Sequence, residues 1–152
     1  MMTVEADIDG LKRLVGSEIG TSRWVDITQT RVSTFADVTE DRQWIHTDPG
    51  RAERESPFGG PIAHGYLTLS LLSALWDSVF TATGVSMAVN YGLNRVRFPA
   101  PVPVGSRVRM TATLLSVDDI DAGVQIVLSA VFESEGTNKP VCVAEPIFRL
   151  YR

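Results

Sequence analysis

The sequence predicts an α+β fold in which an antiparallel sheet curls around one long hydrophobic helix. Residues 64–80 lack proline, and their apolar members (Leu67, Leu69, Leu71, Leu72, Ala74, Leu75, Trp76, Val79 and Phe80) cover most of a helix circumference. A helix apolar nearly all round, in a soluble protein, is buried on most sides. From Val85 onward the chain reads instead as strands separated by turn-rich connectors, which supplies a sheet to bury the helix in.

The remaining elements follow from local signals. Ile8, Leu11, Leu14 and Val15 recur at helical spacing, with an end near Gly16. Residues 24–27 read as a short strand, and Thr28 as the N-cap of a helix carrying Val32, Phe35 and Val38 on one side. Between 41 and 60 the periodicity disappears, and Pro49, Gly50, Pro57, Gly59, Gly60 and Pro61 punctuate an irregular excursion. Irregular loops of about 20 residues are uncommon in compact domains and are usually functional or disordered. Residues 85–91 and 94–98 are short strand candidates, 108–117 and 124–133 longer ones, and 141–151 closes the chain. Residues 118–123 and 134–140 are hairpin connectors, while Pro99, Pro101 and Pro103 fall between strands because proline cannot donate to a ladder.

Composition narrows the function classes. With 152 residues, 44% hydrophobic and 21% charged, the chain is expected to form one globular domain over 1–152. No apolar stretch approaches the roughly 20 residues that span a bilayer. Residues 1–10 carry Glu5, Asp7 and Asp9 and no basic or apolar leader pattern. The single cysteine, Cys142, cannot form an internal disulfide and reads as a small buried hydrophobe. These features point to the cytoplasm and away from a membrane. The net charge is −4 and the 14 Lys and Arg residues are scattered, so the basic stripe that binds nucleic acid is missing. Arginines at a pocket mouth can still hold a small anion, and Arg51, Arg54, Arg95 and Arg97 are the candidates.

Within the irregular excursion, Asp41 and His46 stand five residues apart. On an unbroken helix they would point about 140° away from each other, so only an interrupted backbone could turn both onto one water. The glycine at the entry of the hydrophobic helix, Gly65, offers a backbone N–H that a carbonyl could approach closely. Two histidines with no cysteine nearby make a dedicated metal site improbable, and neither a nucleotide-binding glycine fingerprint nor a Gly-x-Ser-x-Gly elbow is present.

The blocks Asp41, His46, Asp48-Pro49, Pro57-Phe58-Gly59 and Pro61-Ile62-Ala63-His64-Gly65, followed by 96–102 and Gly105, occur in an order that resembles the hydratase-2 motif of the MaoC-like family. That family has the hot-dog fold and includes the (R)-specific enoyl-CoA hydratases. Gln43-Trp44 stands where characterised hydratases have Asn-Pro, and the Gln-Trp-Ile-His form resembles a nodulation-protein-N-like branch. The resemblance implies water gripped between Asp41 and His46, a thioester oxygen held by the Gly65 N–H, and no added cofactor. Ser73 matches a family position lining the acyl pocket; with His64 and Gln43 it completes the expected substrate-binding set, His64 holding the loop against the helix. The expected substrate is an acyl-CoA or acyl-carrier-protein thioester, and the expected assembly a homodimer joined through sheet edges. A hot-dog thioesterase and a non-catalytic acyl-thioester binder are the alternatives.

Overall fold

The computed structural model describes residues 3–152; the first two positions of the 1–10 stretch lie outside them. Helix α1 (Ile8–Arg13) is capped by the Asp7 carboxylate, which accepts from the Gly10 N–H, and buries Ile8 and Leu11. Strand β1 (Val4–Ala6) precedes it, and β2 (Glu18–Thr21) and β3 (Val25–Asp26) follow. Of these only β3 falls within a segment expected to be a strand, residues 24–27. Helix α2 (Gln29–Thr39) begins as expected, with Thr28 Oγ1 accepting from the Arg31 N–H at 3.1 Å. Its buried face is Val32 and Ala36, whereas Val38 is exposed, so the predicted apolar face is displaced by part of a turn.

The excursion after α2 is more ordered than the sequence suggests. Helices α3 (Trp44–Thr47) and α4 (Pro49–Glu55) occupy it. Asp48 accepts from the Arg51 N–H, and Pro49 takes a first-turn position where its missing N–H costs nothing.

The central helix is shorter than predicted and is interrupted. It consists of α5 (Gly65–Ser70) and α6 (Leu72–Trp76). The Ser70 hydroxyl donates to the Leu67 carbonyl at 2.7 Å, taking the acceptor that the Leu71 N–H would use in a regular helix. The Leu71 N–H turns instead to Thr68 O at 3.3 Å. The four residues expected to extend the helix leave it. Val79 N–H closes a tight turn on Trp76 O, and Phe80–Ala82 forms β4, paired in parallel with β1. Leu67, Leu72, Leu75 and Trp76 are buried, but Tyr66 is exposed, so the helix is not enclosed all round. A fully buried leucine such as Leu75 contributes about 1.5–3 kcal/mol of hydrophobic stabilisation.

The main sheet is antiparallel, in the order β2-β6-β7-β8-β5, with β3 also paired to β6. Strands β6 (Arg107–Ile120), β7 (Gly123–Ser134) and β8 (Cys142–Tyr151) show the expected alternation. Val108, Met110, Ala112 and Leu114 face the core from β6, and Ile126, Leu128, Ala130 and Phe132 from β7. Burial pushes the Cys142 thiol, on the same inner face of β8, up to about 12. Pro146 lies inside β8, where the ladder to β7 skips from Val127↔Ile147 to Ala130↔Ala144. The two short strands predicted around 85–98 are one, β5 (Met87–Arg97); bulges between Asn90/Gly92 and Leu93/Val96 absorb the irregularity that read as a break. Among the described residues strand β5 pairs only with β8, and it is exposed along almost its whole length.

Candidate active site

The chain is turned between Asp41 and His46 by a definite device. Helix α2 ends at Glu40 in the left-handed conformation (φ 62°), which redirects the backbone, and Asp41 follows outside any helix. His46 sits on the single turn of α3, whose start is capped by the Gln43 carbonyl accepting from the His46 and Thr47 N–H groups. The two side chains therefore need not diverge as on a continuous helix, and their functional atoms, with one of His64, lie within 4.8 Å of one another.

Each ring has its tautomer fixed by a backbone carbonyl. His46 Nδ1 is 2.7 Å from Ile62 O; a carbonyl can only accept, so Nδ1 carries the proton and Nε2 the lone pair. His64 Nε2 is 2.9 Å from Asp41 O, so its proton is on Nε2 and its lone pair on Nδ1. The rings stack, with centroids 3.8 Å apart and planes inclined by 25°. Both are buried. Burial above all holds the His46 pKa below its ordinary 6.5; the bond to Ile62 opposes this, His64 adds to it, and Asp41 opposes it. The His46 carbonyl is in turn held by Gln29 Nε2 at 2.7 Å. Nothing in the sequence marked Gln29, because its role depends on a loop 17 residues away.

The cluster of Asp41, His46 and His64 is the one grouping of metal-ligand type among the described residues. Its geometry does not suit a metal ion. Imidazole lone pairs lie in their ring planes, and two nearly parallel planes do not converge on a point about 2.0–2.1 Å from both nitrogens.

Gly65 opens α5 beside this cluster, and among the described residues no acceptor takes its N–H. The Phe98 ring lies so close that a Cβ on Gly65 would meet three of its carbons at 3.0 Å, a second reason for glycine here. A cavity of about 350 Å³ is lined by Gly65, Ile62, Thr68 and Phe98, among others. The other expected residues are dispersed. Gln43 is exposed, and its side chain makes no hydrogen bond among the described residues. Ser73 contacts Asn90 weakly, at 3.4–3.5 Å, and lines two cavities of about 540 and 260 Å³ against β5 and β8, neither of which Asp41, His46 or Gly65 lines. Of the arginines, Arg51 is paired with Glu55 and covers the Trp44 ring, Arg95 pairs with Glu145, and Arg97 bonds to Val96 O.

An antiparallel sheet wrapped about a short, largely buried helix is the hot-dog architecture, and here a cluster of two histidines and a carboxylate lies beside that helix's start. The MaoC like domain matches residues 11–134, and the chain belongs to that family. It is 54% identical over 150 residues to 3-hydroxyacyl-thioester dehydratase Z of Mycobacterium tuberculosis, covering 98% of each chain. It is 43% identical over 142 residues to nodulation protein N of Rhizobium meliloti, covering 92% of this chain and 88% of that one. In fold it is similar to an R-hydratase from Pseudomonas aeruginosa (TM-score 0.76, 23% identity, 96% and 86% covered). The (R)-hydratase from A. caviae is a second such structure (TM-score 0.72, 24% identity, 89% and 98% covered). The chain is thus an enzyme of the hydro-lyase kind, a dehydratase or hydratase of the MaoC type.

Proposed function

We propose that this enzyme is an (R)-specific enoyl-CoA hydratase, adding water reversibly across the double bond of a trans-2-enoyl thioester to give the (3R)-hydroxyacyl product. The observation that carries the reading is the convergence of the Asp41 carboxylate and the His46 ring within 4.8 Å, with the His46 proton held on Nδ1. Nε2 is then the lone-pair nitrogen, and in this reading it accepts from a water held between it and the Asp41 carboxylate. A water there donates one hydrogen to the Asp41 carboxylate and the other to His46 Nε2. As His46 takes its proton, the water oxygen bonds to C3 and the double-bond electrons shift toward the thioester oxygen. The Gly65 N–H donates to that oxygen while it carries charge. The His46 imidazolium returns the proton to C2 from the same face, so one water is added and both side chains end as they began.

Ser73, His64 and Gln43 belong, in this reading, to the substrate-binding side, His64 through its hold on Asp41. The substrate is a coenzyme A thioester or its acyl-carrier-protein counterpart, met in the cytoplasm by a single domain. A second copy of the chain on the free edge of β5 completes the assembly; the exposure of Met87, Val89, Tyr91 and Leu93 along that edge supports it.

The test is loss of enoyl-thioester absorbance with crotonyl-CoA and a longer enoyl-CoA, for the wild type and Asp41→Asn. Turnover that collapses in the variant without release of free thiol supports the hydratase. Thiol release would replace it with a thioesterase, and binding without turnover with an acyl-thioester binder.

A further inference from the structure

The two cavities beside β5 and β8, of about 540 and 260 Å³, share three wall residues: Ser73, Asn90 and Phe148. They follow one another along the central helix. The smaller begins at Leu69, one turn beyond Gly65 on the same face of α5, and reaches Ser73; the larger continues from Ser73 to Trp76 and Asp77. Their linings differ. The smaller is walled mainly by Leu69, Leu72, Leu93, Pro146 and Ile147, and the Ser70 hydroxyl there is committed to the Leu67 carbonyl. The larger adds Asp77, Thr81 and Ser86.

Asn90 stands where the alternation of the sheet calls for an apolar residue. It lies opposite Phe148 in the β5–β8 ladder, with Ala88 opposite Leu150. Residues directly opposite share a face, and Phe148 and Leu150 are buried in the core, so Asn90 projects from the inner face of the sheet. Among the described residues its side chain meets only Ser73 Oγ, from Nδ2 at 3.4 Å and Oδ1 at 3.5 Å. These are long contacts for a carboxamide with two donor hydrogens and an acceptor oxygen. Most of its bonding capacity is left for whatever passes between the cavities.

We propose that Asn90, assisted by Ser73, determines specificity for the acyl chain. The pair forms a polar bar between an apolar near chamber and a roomier far one, and selects enoyl thioesters that carry a neutral hydroxyl group where the chain crosses it. The inference rests on the proposed function, which puts the thioester oxygen on the Gly65 N–H. The eight residues from Gly65 to Ser73 span about 12 Å, which an extended acyl chain covers with about ten carbons. A hydrocarbon chain reaching that far displaces water from the Asn90 amide and offers nothing in its place. A hydroxyl both donates and accepts, so it replaces the displaced water bond for bond. A carboxylate at that point would be repelled by Asp77, which lines the larger cavity.

Hydration of crotonyl-CoA, too short to reach Ser73, tests the hydratase reading by itself. Specificity is then read as the ratio of kcat/KM for 10-hydroxy-trans-2-decenoyl-CoA to that for trans-2-decenoyl-CoA. A hydrogen bond of ordinary net strength corresponds to about tenfold, so the wild type is expected to prefer the hydroxylated thioester by about that factor. Asn90→Leu, which continues the apolar lining, should abolish or reverse the preference, and Ser73→Ala should leave part of it. Damage to the fold or to the acid–base pair lowers both rates alike, so a merely structural role for Asn90 would not move the ratio. If crotonyl-CoA is not turned over, the hydratase reading fails, and the ratio of the Kd values of the two ten-carbon thioesters, measured by calorimetry, carries the same test. Equal preference for the two in the wild type, or a preference that Asn90→Leu leaves unchanged, overturns the proposal.

Discussion

His64 lies face to face with His46 while bonding to the Asp41 backbone, so one buried ring holds both halves of the candidate acid–base pair. The stack is compatible only with at least one neutral ring, because two imidazolium ions 3.8 Å apart in a buried site would repel strongly. That neutrality bears directly on pH dependence.

Because burial holds the His46 pKa below 6.5, its neutral, proton-accepting form persists under mildly acidic conditions. The acid limb of kcat for crotonyl-CoA hydration is expected below pH 6.5. Asp41 raises the His46 pKa, so any residual activity of Asp41→Asn should show that limb displaced further down. Stability follows the same sign. The folded pKa is depressed, so the unfolded chain binds the extra proton first; this contribution is complete above 6.5 and is lost as the pH falls through the folded value. Urea unfolding at about pH 8 and about pH 5 measures it.

Replacing either member of the pair while keeping its shape, Asp41→Asn or His46→Gln, is expected to lower kcat by about 10²- to 10⁴-fold. Circular dichroism and thermal unfolding should show an intact fold for Asp41→Asn, whose side chain is exposed. His46→Gln should also lose stability, because the Ile62 carbonyl and a buried stack lose their partner.

Gly65→Ala should destabilise the protein by about 1–3 kcal/mol, since the new Cβ meets the Phe98 ring at 3.0 Å. Phe98→Leu in the same chain should restore much of that stability. Activity that stays low in the double variant would separate the need for a close approach to the Gly65 N–H from the steric effect.

Ala122 closes the two-residue turn between β6 and β7 with φ 60°, a conformation costly for a residue with a Cβ. Ala122→Gly is expected to raise stability by about 1 kcal/mol, as read from the urea midpoint at constant m-value.

If a second copy covers the edge of β5, the wild type should scatter light as twice the 16.6 kDa chain. Val89→Lys, which places a charge on that edge, should return the mass to that of one chain.

Much of this was legible from residue order. Thr28 announced the start of α2, the alternation in β6, β7 and β8 announced the inner sheet face, and Asp41 and His46 were brought together as their ordered motif implied. What escaped was decided by single hydrogen bonds and by distant partners. Ser70 interrupts the central helix through one hydroxyl, and residues 80–82 become a strand because β1, far away in the chain, offers them a ladder. Asp48-Pro49 did carry the sign of a helix start, but the surrounding glycines and prolines masked it.

The break at Leu71 separates two tasks that one straight helix would have to share. The segment before it carries Gly65, the proposed donor to the thioester oxygen, and the segment after it lines the roomier cavity of about 540 Å³ beside β5 and β8 with Ser73 and Trp76. A substitution in the second segment can reshape what those cavities admit without rotating the first, since the Leu71 turn does not transmit axial rotation as a regular helix would. If the proposed function holds, such a chain could change its range of guests while its chemistry stayed constant.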